Sequence, residues 1–464
     1  MKVWIGTLAA TLVLFGGNRA ASQIATLTVP TFGQVVVYAP SGSPDQVVLF
    51  VSGDGGWNLG VVSMAERLRG LGALVVGIDI RAFVKSLENS KSCAYPAGAL
   101  EELSRAIQLR HKLPMYKRPI LVGYSSGATL VYAALAAAPP ESFAGAVSLG
   151  FCPDLDLTNA PCQMRGLRAT KKPKGIGYDL SPFPRLQVPW MVLQGEVDQV
   201  CAAATTRTFV GATGSARVFS LPNVGHGFAV PRNWEPQFVD AYRAVADATK
   251  SHDEPRVSVP EVQDLPLVEV PATVATDRHE MAIIVTGDGG WAELDKSVAA
   301  GLAAAGVPTV GLSSLRYFWT PRTPDVAAAD LTRIITHYSA AWRTERIVLI
   351  GYSFGADVLP FLVNRLSPVA RARVANVTLL GLAPTAAFEF HASEWIGQSR
   401  GPEYPTVPEV DQLTMPVTCV QGAGEEDSAC RLLRNPRVRV VTVGQGHHFS
   451  GEYERLVDVI LQEP

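Results

Sequence analysis

The stretch Ile350-Gly-Tyr-Ser-Phe-Gly-Ala-Asp-Val-Leu-Pro360 decides the fold, because its serine stands between two glycines, after an apolar run and before a helical pattern. A shorter form, Gly-Tyr-Ser-Ser-Gly-Ala, occupies residues 123–128. A strand that ends in Gly-x-Ser-x-Gly and turns sharply into a helix presents the serine hydroxyl at the edge of a parallel sheet. The motif alone is weak evidence, but two copies in the same context predict two nucleophile elbows, with Ser125 and Ser353 at their tips.

Three further motifs occur twice, in the same order around the two elbows. They are Gly-Asp-Gly-Gly-Trp at 53–57 and 287–291, Gly-Glu-x-Asp-x-x-Cys at 195–201 and 424–430, and Gly-His-x-Phe at 225–228 and 446–449. Each half therefore supplies a serine, an acid and a histidine in the chain order that α/β-hydrolases use. The repeat predicts two tandem α/β-hydrolase-like domains, each a mostly parallel sheet flanked by helices.

The length and composition agree with two globular domains. The chain has 464 residues, of which 47% are hydrophobic and 18% charged, and its formal net charge of −2 gives no support for nucleic-acid binding. The stretch 251–266 is rich in proline and charge and is the predicted linker. We therefore expect an N-terminal domain at 23–250 and a C-terminal domain at 267–464.

The N-terminus resembles an export signal. Met1-Lys2 is a short positive start, residues 3–15 are apolar, and 16–22 are rich in small residues. The sequence predicts a cleaved signal peptide at 1–22 and a periplasmic location, with an uncleaved anchor or a first strand as the alternative.

The six cysteines are compatible with an oxidising compartment. Cys419 and Cys430 are the only two in the second half, so we predict a bridge between them. The four in the first half permit three pairings, and buried free thiols remain an alternative. These four are Cys93, Cys152, Cys162 and Cys201.

A serine hydroxyl needs a base that is oriented by an acid. His226 and His447 follow the last apolar strand of each half and are the predicted bases, with His448 as a neighbour. Asp198 and Asp427 are the predicted acids, because a cysteine follows each at the same distance. Counting from the preceding Gln-Gly would instead select Glu425, which stays open as an alternative.

The Gly-Asp-Gly-Gly-Trp motifs follow the first long strand of each half, where α/β-hydrolases place one wall of the oxyanion hole. The predicted oxyanion loops contribute Gly53 and Asp54 in the first half and Gly287 and Asp288 in the second, with backbone donors from Ser126 and Phe354 after the nucleophiles. We expect the two aspartates to cap the following helices or else to hold a cationic part of the substrate. No metal site or cofactor is predicted, because no His or Cys spacing resembles a ligand set.

The segments expected to cap the two pockets differ in charge. Residues 149–186 hold six basic and three acidic residues, a balance of +3, whereas 380–413 hold one basic and five acidic residues, a balance of −4. The acidic cap favours a cationic substrate, although solvated loop charge is the plain alternative. Aromatic residues at the second pocket rim favour a substrate with an apolar portion. They are Trp291, Tyr317, Phe318, Trp319 and Trp395.

The second half resembles the bacterial VirJ/AcvB virulence-protein family. The matching elements are Thr286–Trp291, Leu315–Trp319, the long elbow Ile350–Pro360 and Gly446–Phe449, and the two-domain layout resembles AcvB over nearly the whole chain. The resemblance implies a periplasmic hydrolase that cleaves lysyl-phosphatidylglycerol and is linked to virulence and membrane-lipid homeostasis. By matching positions it implies Ser353, His447 and Asp427 as the triad. The first half departs from the long elbow, with Ser-Gly-Ala-Thr-Leu in place of Phe-Gly-Ala-Asp-Val.

The expected partner is therefore an aminoacylated phospholipid at the membrane surface, whose lysyl ammonium Glu389 or Glu394 would bind and whose apolar part Trp291 and Trp319 would contact. A general carboxylesterase or thioesterase for uncharged acyl groups is the enzymatic alternative. A hydrolase fold kept as a docking module for secretion-system proteins is the non-enzymatic one. In a third hypothesis, the first half binds an anionic surface and the second half catalyses the hydrolysis.

Overall fold

A computed structural model describes residues 24–89, 93–139, 142–253, 261–390 and 402–462. The predicted signal peptide, residues 254–260 of the predicted linker, Glu394 and Trp395 lie outside these ranges. Within them, no helix combines the length and the apolar character that are needed to cross a bilayer.

The first half forms an α/β unit. Its strands are β1 (Ile24–Val29), β2 (Gly33–Tyr38), β3 (Gln46–Val51), β4 (Ala73–Ile78), β5 (Ile120–Tyr124), β6 (Gly145–Leu149), β7 (Asp154–Leu155), β8 (Ala169–Lys171), β9 (Tyr178–Leu180), β10 (Trp190–Gly195) and β11 (Ala216–Leu221). Its helices are α1 (Leu59–Gly70), α2 (Ile80–Glu88), α3 (Pro96–Arg110), α4 (Ser126–Ala137), α5 (Ala203–Gly211) and α6 (Glu235–Asp253).

The main sheet of this half has eight strands in the order β1-β2-β4-β3-β5-β6-β10-β11. The six strands β4, β3, β5, β6, β10 and β11 run parallel to one another. At the edge of the sheet, β2 pairs antiparallel with β4, and β1 pairs antiparallel with β2. β7, β8 and β9 form a separate antiparallel sheet in the segment after β6 that was expected to cap the pocket. β1 and β2 were not expected, since β1 is mostly exposed and lacks the long apolar run of the central strands.

The second half repeats the plan. Its strands are β12 (Leu267–Val270), β13 (Glu280–Val285), β14 (Thr309–Leu312), β15 (Arg346–Tyr352), β16 (Val374–Leu380), β17 (Thr385–Ala386), β18 (Tyr404–Pro405), β19 (Val417–Ala423) and β20 (Val438–Gln445). Its helices are α7 (Glu293–Ala304), α8 (Ser314–Tyr317), α9 (Pro324–Trp342), α10 (Phe354–Asn364), α11 (Pro368–Arg371), α12 (Thr406–Asp411) and α13 (Tyr453–Leu461). The main sheet has the order β12-β14-β13-β15-β16-β19-β20 and is parallel except for β12.

The predicted fold class is confirmed: two mostly parallel sheets, each flanked by helices. The central strands are buried along nearly their whole length, as in β3 and β13, because helices cover both faces of each sheet. In such sheets the carboxyl ends of the strands meet at one edge, and loops from several strands converge there. The two serine elbows lie at this edge in their respective sheets.

Three disulfides tie the loops of the two units. The structure has the predicted bridge between Cys419 and Cys430, and in the first half it pairs Cys93 with Cys162 and Cys152 with Cys201. The alternative of buried free thiols is therefore wrong, since all six cysteines lie within the described ranges and none is free.

The two halves contact each other through a small apolar cluster of Tyr116, Leu315 and Trp319. The Trp319 indole N–H donates to the carbonyl oxygen of Leu113 at 2.8 Å, and its ring lies 5.3 Å from that of Tyr116. Arg165 forms an ion pair with Glu293 across the same boundary. Residues of the first half therefore pack beside two parts of the second half, the start of α7 and the segment that follows β14.

Candidate active site

Both elbow serines have the strained backbone that a nucleophile elbow requires. Ser125 has φ 55° and ψ −125°, and Ser353 has φ 52° and ψ −119°, a conformation that costs a non-glycine residue free energy. The flanking glycines are required by close approach: a Cβ on Gly127 would collide with the backbone of β3, and one on Gly355 with the backbone of β13. The turn is therefore fixed by its neighbours on both sides.

In the first half, the serine, histidine and acid form a continuous hydrogen-bonded relay. Ser125 Oγ lies 2.8 Å from His226 Nε2, and His226 Nδ1 lies 2.9 Å from Asp198 Oδ2. Burial would raise the pKa of Asp198, but the backbone N–H groups of Cys201 and Val200 and the ring of His226 together hold that pKa below its usual value. The structure thus brings together the three residues predicted for this half, with the acid ionised.

In the second half, the relay ends in a glutamate. His447 Nε2 lies 2.7 Å from Ser353 Oγ, and His447 Nδ1 lies 2.6 Å from Glu425 Oε1. The other carboxylate oxygen of Glu425 accepts from the Gly422 N–H at 2.9 Å, which fixes the side chain. Asp427 is exposed, so the prediction that it orients His447 is wrong, and the alternative counted from Gln-Gly is the one observed.

The prediction of Asp427 was wrong because Cys201 and Cys430, which were used to align the two acid loops, are not equivalent. Cys201 bridges to Cys152, in the loop after β6, whereas Cys430 bridges to Cys419 inside its own acid strand, β19. The equivalent landmarks are Gly195 and Gly422, whose Cα atoms each face the backbone of the histidine loop so closely that a Cβ would collide. Counting three residues onward from these glycines gives Asp198 and Glu425.

His448 is a neighbour of the base, as expected. Its Nδ1 lies 2.8 Å from the hydroxyl of Tyr352, whose ring stacks on His447 with 5.7 Å between the centroids. Burial, reinforced by the adjacent His447, lowers the pKa of His448. Tyr352 therefore contacts both His448 and the catalytic candidate His447.

The Gly-Asp-Gly-Gly-Trp loops lie against the nucleophiles. A Cβ on Gly53 would come within 3.0 Å of the Ser125 Cβ, and one on Gly287 within 3.5 Å of the Ser353 Cβ. In the described part of the chain, the backbone N–H groups of Asp288 and Phe354 donate to no backbone carbonyl. Both amides are therefore free to donate to an oxygen that develops charge beside Ser353.

The expectation that Asp54 and Asp288 cap the following helices is wrong. The N-cap positions of α1 and α7 are Asn58 and Ala292. Asp54 is exposed, and Asp288 instead accepts from the Arg105 guanidinium of helix α3 at 2.8 Å. Arg105 thus reaches from the first half to the oxyanion loop of the second, where it neutralises a carboxylate that would oppose a developing oxyanion.

We predict that Arg105→Ala lowers kcat at the second site about three- to tenfold, since the pair is half exposed and its charges are screened. The measurement is a double-mutant cycle with Asp288→Asn, because removing the carboxylate also removes the need for its partner. An equal loss from Arg105→Ala in both backgrounds would show that Arg105 acts through packing and not through Asp288.

The predicted aromatic rim is mostly structural. Trp319 is the boundary contact described above, and the Trp291 ring packs against Gly311 of β14, where any Cβ would collide with it. Tyr317 and Phe318 are buried. The assignment of Trp319 to substrate binding is therefore wrong, whereas that of the partly buried Trp291 stays a prediction.

A different aromatic pair lies beside the nucleophile. Phe354 follows Ser353 directly and stacks on Phe390 with 4.9 Å between ring centroids, and both side chains are only partly buried. Phe354 was singled out for its backbone N–H alone, and Phe390 was missed because no motif marks it. The two rings form an apolar wall next to Ser353.

Several charges of the segments expected to cover the pockets form ion pairs within the protein. In the first half Lys172 contacts Asp154 and Asp156, at 3.0 and 3.1 Å. In the second half Glu409 forms an ion pair with Arg365, which directly follows α10. Glu389 is partly buried in the loop that leads to Phe390, with no ion pair among the described residues. The overall charge of each segment is thus a poor guide to the charge that faces its pocket.

The first half has two cavities beside Ser125. One, of about 780 Å³, lies between α1 and the histidine loop and includes Ser125 and His226 in its walls. The other, of about 270 Å³, is lined by Ser125, Ser126, Thr129 and Cys152 among others. A substrate can therefore approach this serine through either cavity.

A carboxylate, a sulfur and an imidazole, of Asp198, Cys201 and His226, lie within 4.8 Å of one another. Cys201 is in a disulfide and both imidazole nitrogens of His226 take part in the relay, so this cluster is explained without a metal ion.

Comparisons with known proteins agree with the repeated architecture. A family model described as bacterial virulence protein (VirJ) matches residues 45–149 and 279–464. No curated protein sequence matches the chain.

Several solved structures of about half the chain's length are similar to it. An esterase domain from Rhodothermus marinus is 14% identical, covering 49% of this chain and 98% of its own, with a TM-score of 0.33. Est1E from Butyrivibrio proteoclasticus is 11% identical, covering 49% and 99%, with a TM-score of 0.33. A dienelactone hydrolase from Anabaena variabilis is 17% identical, covering 51% and 99%, with a TM-score of 0.34.

Proposed function

Because the chain belongs to the bacterial virulence protein (VirJ) family, and because its second half assembles a complete Ser–His–Glu relay beside an oxyanion loop, we propose that it is a serine hydrolase of carboxylic esters. The finer proposal is that it cleaves the aminoacyl ester of lysyl-phosphatidylglycerol in the periplasm. The observation that carries the chemistry is the pair of short contacts from His447 to Ser353 and to Glu425.

The relay supports acyl transfer in two steps. Ser353 Oγ attacks the ester carbonyl carbon while His447 Nε2 takes the hydroxyl proton, and Glu425 stabilises the imidazolium. The amides of Asp288 and Phe354 donate to the oxyanion. The intermediate then collapses, the bond to the lipid oxygen breaks, and His447 returns the proton to that oxygen, which leaves a lysyl ester on Ser353.

Water completes the cycle. His447 takes a proton from a water molecule, the resulting hydroxide attacks the lysyl ester of Ser353, and the serine oxygen leaves with the proton from His447. The products are free lysine and phosphatidylglycerol. The apolar wall of Phe354 and Phe390 suits a substrate that carries acyl chains, which supports a lipid ester.

The test is lysine release from vesicles that contain lysyl-phosphatidylglycerol, with p-nitrophenyl butyrate measured in parallel. We expect release of one lysine per lipid cleaved and kcat/KM at least about tenfold above that for the neutral ester. Faster cleavage of the neutral ester would favour the general esterase, and no cleavage of either substrate would favour the docking module.

A further inference from the structure

Asp357 is a carboxylate at the second site that the relay does not use. It lies in the first turn of α10, four residues after Ser353, and is partly buried. One of its oxygens accepts from the Ala383 N–H at 2.7 Å. No cation pairs with Asp357 among the residues that the structure describes.

The internal repeat shows which space this side chain faces. Thr129 stands four residues after Ser125, and its hydroxyl donates to the carbonyl oxygen of Cys152 at 2.7 Å. Cys152 and Ala383 occupy matching places, each two residues after a left-handed glycine that lies against the base, Gly150 at His226 and Gly381 at His447. The first half thus has a hydroxyl where the second has a carboxylate.

Thr129 lines the 270 Å³ cavity beside Ser125. The corresponding position in the second half, that of Asp357, therefore borders the space beside Ser353. Thr129 belongs to the half that lacks the long elbow, so a hydroxyl in the first site and a carboxylate in the second distinguish two sites that each have a serine–histidine–acid relay.

A partly buried carboxylate without a cation is unfavourable, and burial raises the pKa of Asp357 to about 7. A bound ammonium group would remove this penalty and form a charge-assisted hydrogen bond with the free oxygen. The site therefore gains more from a cationic acyl group than from a neutral one of the same shape.

Resting on the proposed function, we propose that Asp357 binds the α-ammonium group of the acyl part, so that the second site takes α-aminoacyl esters as a class. The α-ammonium sits on the carbon next to the carbonyl that Ser353 attacks. The backbone N–H of Asp357 donates to the carbonyl oxygen of Ser353 at 3.0 Å, so Asp357 lies in the helical turn directly after the nucleophile. The ε-ammonium of lysine lies four carbons further away.

The experiment compares kcat/KM for four ethyl esters in a Ser125→Ala background, so that only the second site reacts. Lysine carries both ammonium groups, norleucine only the α, 6-aminohexanoate only the ε, and hexanoate neither. Asp357→Asn keeps an oxygen for the Ala383 N–H and removes the charge. We expect it to lower kcat/KM about 10- to 100-fold for the lysine and norleucine esters and less than about twofold for the other two.

Two controls separate charge from folding. Asp427→Asn removes one exposed carboxylate near the same relay and should change no ratio between esters. Asp357→Thr introduces the residue of the first half and should show the selectivity of Asp357→Asn, with a thermal midpoint close to that of the parent.

The outcomes are distinct. An equal loss on all four esters would make Asp357 a structural residue and overturn this inference, while the hydrolase function stands. A loss on 6-aminohexanoate without a loss on norleucine would overturn the assignment to the α-ammonium. Failure of the parent to cleave the lysine ester would remove the proposed function itself.

Discussion

Glu425→Gln should lower kcat on any ester cleaved at the second site by about 10³- to 10⁴-fold and leave KM nearly unchanged. Glu425 is the only carboxylate among the described residues that contacts His447 Nδ1, at 2.6 Å. An amide in its place can donate its N–H to that nitrogen, which would leave the proton on Nε2 and deprive Ser353 of its base. The relay would remain assembled in shape and fail in proton transfer.

Asp427→Asn is the matched control, because it removes the acid that the sequence motif selects. Asp427 is exposed and contacts no atom of the relay, so kcat should stay within about twofold of the parent, the range expected of a surface change. Single-turnover rates on one ester for both variants would decide the question. The opposite pattern, with Asp427→Asn inactive and Glu425→Gln active, would show that the acid loop rearranges when substrate binds.

The sequence was sufficient for the fold and for most of the relay, because these depend on local patterns. Buried parallel strands appear as apolar runs, and an elbow needs glycines at fixed positions around Ser353. The histidine follows the last strand in both halves. Such features are repeated in the chain, and the repeat itself strengthened each of them.

The acid of the second triad was predicted as Asp427 instead of Glu425 because its position depends on tertiary structure. Glutamate is one methylene longer than aspartate, so Glu425 can reach His447 from a loop whose backbone differs from that around Asp198. The cysteine that seemed to fix the register, Cys430, bridges to its own strand. Spacing within a loop does not record which side chain turns inward.

Contacts between the halves also could not be predicted from the sequence. Trp319 was predicted to lie at the rim of the second pocket. Its indole N–H instead donates to the carbonyl oxygen of Leu113 in the other half. Asp288 is paired with Arg105, which lies 183 residues earlier in the chain. No periodicity or motif relates such residues, because the pairing follows from how two separate folding units pack together.

Ser353→Ala should abolish lysine release from lysyl-phosphatidylglycerol vesicles, with a loss on the order of 10⁴-fold or more, whereas Ser125→Ala should retain most of it. Both serines are within hydrogen-bond distance of their histidines, 2.8 Å in the first half and 2.7 Å in the second, so the relay alone does not separate the sites. The difference lies in the pocket, where the first site has Thr129 and the second has Asp357 and the Phe354 wall.

Because both relays are assembled, we expect both serines to react with a fluorophosphonate. The intact mass should show two adducts on the parent protein and one on each single variant. Lysine release that persists in Ser353→Ala and disappears in Ser125→Ala would assign the lipid reaction to the first half. The two cavities beside Ser125 would then have to accommodate the lysyl group without a carboxylate at position 129.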